Sequence, residues 1–78
     1  MQTDPRPTTE AVRSVTVEAS STRPGDWGRA MALALDRLIQ EIIAATGTNP
    51  CRDPGGLDVS LHIQAVPDGE AITVIWRR

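Results

Sequence analysis

Residues 26–46 read DWGRAMALALDRLIQEIIAAT, and the architecture of the chain follows from them. Trp27, Ala30, Met31, Ala34, Leu35, Leu38, Ile39, Ile42 and Ile43 recur at steps of three and four. That spacing gathers them on one stripe of a 3.6-residue helix. Arg29, Asp36, Arg37, Gln40 and Glu41 fall on the opposite side, and Leu33 is a lone apolar residue among them. Asp26 stands where an N-cap belongs, and Gly47 is the residue type suited to a left-handed C-terminal cap. The reading is one amphipathic helix over Asp26–Thr46.

On both sides of the helix the pattern changes to a period of two. Val15, Val17 and Ala19 alternate with Ser14, Thr16 and Glu18, which predicts a strand over Val12–Ala19. After the helix, TNPCRDPGG (residues 48–56) carries two prolines and a double glycine and reads as an irregular connector. Leu57, Val59, Leu61, Ile63 and Ala65 then alternate with Asp58, Ser60, His62 and Gln64, a second strand. Pro67-Asp68-Gly69 signals a hairpin with a glycine bulge, and Ala71–Arg77 forms a third strand. That third strand is apolar on both faces, so it belongs in the centre of the sheet. The fold class expected is α+β: a three-stranded antiparallel sheet, β-α-β-β in order 1-3-2, with one helix on one face. The helix is expected to cover Val15, Val17, Leu57, Val59, Leu61, Ile63, Ile72, Val74 and Trp76. Thr16, Glu18, Asp58, Ser60, His62, Gln64, Thr73, Ile75 and Arg77 are left on the open face.

Length limits the core. The chain has 78 residues. Residues 1–11 hold two prolines, three threonines and no apolar periodicity, so they read as a flexible tail ahead of one domain over 12–78. Domains this small bury only about 60% of their unfolded surface and usually need a staple. The one cysteine, Cys51, allows no internal disulfide. Homo-oligomerisation is therefore the expected source of extra stability.

Charge narrows the classes of partner. Eight arginines and no lysine stand against ten acidic residues, for a net charge of −2. Arginine without lysine fits GC-rich coding, and hence a bacterial or phage origin. Acids outnumber bases and the arginines are scattered, which argues against nucleic acid as a partner. No stretch approaches the roughly 20 apolar residues of a membrane span, and the polar N-terminal residues lack a signal-peptide core. A cytoplasmic protein is the expectation.

Chemistry has few residues to work with. His62 is the only histidine and Cys51 the only thiol, without a nucleophile turn or a carboxylate pair. Asp58 and His62 are four residues apart on one strand, roughly 13 Å between backbones, too far for an acid–base pair. Cys51, Asp53 and His62 match no standard metal spacing. No catalytic residue, metal or enzyme activity is expected. Trp27 and Trp76 are the only aromatic residues. Each reads first as packing, and secondly as a stacking surface or a partner hot spot. The candidate ligand or partner surface is Trp27, Asp58, Ser60, His62, Gln64, Ile75 and Arg77.

Within Val15–Leu38 the chain resembles the dodecins, small β-α-β-β proteins that bind flavin and close into hollow dodecamers. A strand ends in Glu18. The turn Ser20-Ser21-Thr22-Arg23-Pro24 follows, then Trp27 opens the helix, then come Ala30 and Ala34-Leu35-Asp36-Arg37, all at matching intervals. The resemblance implies the same fold, a homo-oligomer and flavin as the ligand. Dodecins stack flavin on a tryptophan of the strand after the helix, whereas this chain has no aromatic residue between Trp27 and Trp76. The first expectation is thus a non-enzymatic binding module that self-associates through its open sheet face or edge and meets a protein partner. A dodecin-like flavin carrier and an accessory or inhibitor protein of a phage or mobile element are the alternatives.

Overall fold

The computed structural model describes residues 12–77; the tail expected over residues 1–11 lies outside them. Strand β1 (Val12–Ala19) leads through a 3-10 turn at Pro24–Asp26 into helix α1 (Gly28–Thr46). A second 3-10 turn at Pro50–Arg52 precedes strands β2 (Val59–Val66) and β3 (Gly69–Arg77). The sheet order is β1-β3-β2, with β3 antiparallel to both neighbours. This is the α+β arrangement that the two-sided apolar pattern of the third strand predicts.

Register defines the two faces, because residues directly opposite in an antiparallel ladder project to the same side. Val15, Val74 and Leu61 form one cross-strand row, and Val17, Ile72 and Ile63 the next. These rows lie on the helix side. The rows Thr16–Thr73–His62, Ser14–Ile75–Ser60 and Glu18–Ala71–Gln64 lie on the helix-free side.

The core is thin. Ala34, Leu38, Ile42 and Val74 make one buried cluster, with Val15, Val17, Leu57 and Trp76 packed against it. Ala19, Ala30 and Ile72 make a second, joined by Val17, Trp27, Met31 and Ile63. Leu38 and Ile72 are wholly buried.

The helix packs on β1 and β3, and does not cover β2 as the alternation of that strand led us to expect. Val59 and Leu61, placed under the helix by their alternation, are 40% and 50% exposed. The reason is width. A helix about 10 Å across spans two strands set about 4.8 Å apart, and the third is left bare.

Local details differ from expectation at two further places. Asp26 does not cap the helix: it sits in the preceding 3-10 turn, where its carboxylate accepts a hydrogen bond from the Ser21 hydroxyl at 2.7 Å. Trp27 holds the N-cap position without a side-chain capping bond. The hairpin also contains no bulge, since Val66 pairs with Gly69 and Ala65 with Glu70 around a two-residue Pro67-Asp68 turn. Gly69 is required for another reason. A Cβ there would collide with the backbone carbonyl of Ala19 and come within 3.0 Å of the Ser20 Cα. The helix does end at Gly47 in the left-handed conformation, φ 79°, with its N–H donated to the Ile43 carbonyl at 2.8 Å.

Candidate functional site

Five of the seven candidate residues share a side of the sheet. Ser60, His62 and Gln64 lie on β2, with Ile75 and Arg77 on β3, all projecting to the helix-free face. Asp58 immediately precedes β2, outside its ladder. The face is hydrophilic along most of its length. Thr16 and Thr73 join their hydroxyls at 2.7 Å, and His62 stands beside Thr73 in register. Ser60, His62, Gln64 and Arg77 are exposed, and Ile75 is half-buried between Ser14 and Ser60.

Trp27 lies apart from them, on the helix side. Its ring packs on the Ala19, Ala30 and Ile72 cluster, and its indole Nε1–H donates to the Ser21 carbonyl at 2.9 Å. The side chain thereby pins the β1–α1 connection to the core. Trp76 is half-buried against Ala34, Leu38, Ile42 and Val74. Both indoles are engaged in packing.

The apolar surface lies elsewhere than the seven candidates. Val59, Leu61 and Ile63 form a row along the helix side of β2, beyond the edge of the helix. Only Ile63, packed against the Ala30 and Ile72 cluster, is partly sheltered. Met31 of α1 packs against that same cluster. The outer edge of β2 is also the outer edge of the sheet. An open edge and an uncovered apolar row thus coincide on one strand. The alternation of Leu57–Ala65 displays this row in the sequence, and only the width of a single helix separates a buried reading from an exposed one.

Two other surfaces are present. An open groove of about 460 Å³ runs between the end of β1 and the start of α1, lined by Val17, Ala19, Ala30 and Leu33 and rimmed by Glu18, Asp26 and Arg29. Leu33, 39% exposed, is part of this groove. The connector holds the second recess. There Asn49 accepts the Cys51 N–H at 2.9 Å and Asp53 accepts the Gly55 N–H at 2.8 Å, while Cys51 itself is exposed at the surface.

Among the described residues ionisable side chains do not gather into a site. Among the described residues no three of His, Cys, Asp and Glu come together as metal ligands would. Arg23 and Asp26 form an ion pair at 3.7 Å that is exposed and local to the 3-10 turn. No described helix is long and apolar enough to cross a membrane. Comparison with protein-family models, with curated proteins and with solved structures returns no match.

Proposed function

We propose that this protein is a small non-enzymatic binding module that works as a self-associated species, with β2 as the associating strand. One observation carries the reading: Val59 and Leu61, at the centre of the most regular apolar alternation in the chain, lie uncovered on an edge strand. Exposed, regular, apolar edge strands are the surfaces that soluble proteins shield or use. The thin core adds to this, because a domain with seven buried apolar residues among those described has much to gain from a second set of contacts. The helix-free face, where Val12, Val66, Ala71 and Ile75 stand among polar residues, then remains in water and open to a protein partner.

The flavin-carrier reading calls for an aromatic plane free to stack. Trp27 and Trp76 are both held against the core, which favours self-association over carriage of a planar ligand. Adding flavin and following tryptophan fluorescence separates the two: the proposed module shows no saturable quenching.

Native-state amide exchange at two protein concentrations tests the reading itself. Amides of β2 are expected to exchange more slowly in the concentrated sample than in the dilute one. Equal β2 rates at both concentrations would refute it.

A further inference from the structure

From the register and exposure of β2 we infer that the partner of this edge is β2 of a second copy, paired antiparallel about a two-fold axis at Leu61. The proposal rests on the self-association reading above and adds its geometry. Two copies related by a two-fold axis perpendicular to the sheet meet edge to edge, forming one six-stranded sheet with both helices on the same side. In that arrangement residues pair only when their numbers sum to an even value, so apolar positions meet apolar positions and polar meet polar.

The choice of Leu61 follows from the residues themselves. With Leu61 on the axis, Val59 pairs with Ile63 of the second copy, and Leu61 with Leu61. The three apolar residues of the row meet only one another. On the opposite face Ser60 meets His62, a hydroxyl against an imidazole, so no like charges oppose. A register centred on His62 instead sets imidazole against imidazole and pairs Val59 with Ala65. Leu61 is also the more exposed of the two bare side chains, at 50% against 40% for Val59.

The edge carries none of the usual devices against such pairing. Between Val59 and Val66 there is no proline, lysine or carboxylate, and His62 is the only ionisable residue. The other sheet edge, β1, differs: Arg13 and Glu18 interrupt it, and its apolar row of Val15 and Val17 is already covered by α1.

Cysteine cross-linking in a Cys51→Ser background tests both the partner and the register. Opposed residues in an antiparallel pair have Cα atoms about 4.5–5.5 Å apart, within disulfide reach. Leu61→Cys is expected to give a disulfide-linked species of twice the chain mass under mild oxidation. Val59→Cys alone is expected to give none, because its counterpart lies roughly 13 Å along the strand. A mixture of Val59→Cys and Ile63→Cys chains is expected to cross-link as a heterodimer. Cross-linking at 59 or 63 alone with none at 61 overturns the register while leaving self-association standing. A dimeric native mass without any of these cross-links overturns the pairing about Leu61. A chain that stays at monomer mass at every concentration, with no cross-link, overturns both this proposal and the reading beneath it.

Discussion

Gly69 is the most constrained single residue. It is buried at the start of β3, and its missing Cβ is what lets the end of β1 lie against the hairpin. Gly69→Ala forces the Ala19 carbonyl away and is expected to cost about 3 kcal/mol, at the upper end for overpacking, read from the midpoint of urea unfolding. Gly28 presents the opposite case. It opens α1 with nothing within 4 Å of the place an added methyl would take, so Gly28→Ala is expected to raise stability by about 0.5–1 kcal/mol. Single residues were only partly legible in the sequence. Gly47 announced its left-handed cap by residue type and position. The role of Gly69 was not visible, because it depends on the backbone carbonyl of Ala19, on a strand far earlier in the chain, and local pattern carries no such information.

The helix and the first two strands were readable because each carries a clear period, and the third because an apolar run follows the Pro67-Asp68-Gly69 turn. Leu38 and Ile42, read as core from spacing alone, are buried. Leu38→Ala is expected to cost about 3–4 kcal/mol, enough to unfold much of a domain of this size, with the loss visible as reduced helical circular dichroism. Boundaries were less secure. The helix starts two residues after Asp26 because Pro24–Asp26 closes its own 3-10 turn, and the Ser21 hydroxyl occupies the carboxylate that would otherwise cap it. β2 begins at Val59, two residues after Leu57, whose side chain folds back onto the Ala34, Leu38, Ile42 and Val74 cluster. Periodicity ran through Leu57 without a break, so the point where the strand leaves the connector was not encoded in it.

Across the molecule as a whole, residue pattern identified the right apolar sets and assigned one of them to the wrong environment. The alternation of Leu57–Ala65 marks an apolar face, and a two-layer fold suggests that any apolar face is under the helix. A single helix covers two strands, so the third is bare, and that geometric limit turns an expected core strand into a surface. The polar candidates Ser60, His62 and Gln64 do share one face, whereas Trp27 is separated from them by the thickness of the sheet. Substituting His62 by Ala is expected to leave the fold unchanged and stability within about 0.5 kcal/mol, as for other exposed sites.

Pairing of two chains through Leu61 of β2 stands or falls on native mass. Light scattering of the unaltered protein and of Leu61→Lys, side by side at equal concentration, decides it. Twice the 8.4 kDa chain mass is expected for the first and a single chain mass for the second, with the same helical circular dichroism in both. The same mass for both proteins, whether single or double, would contradict it.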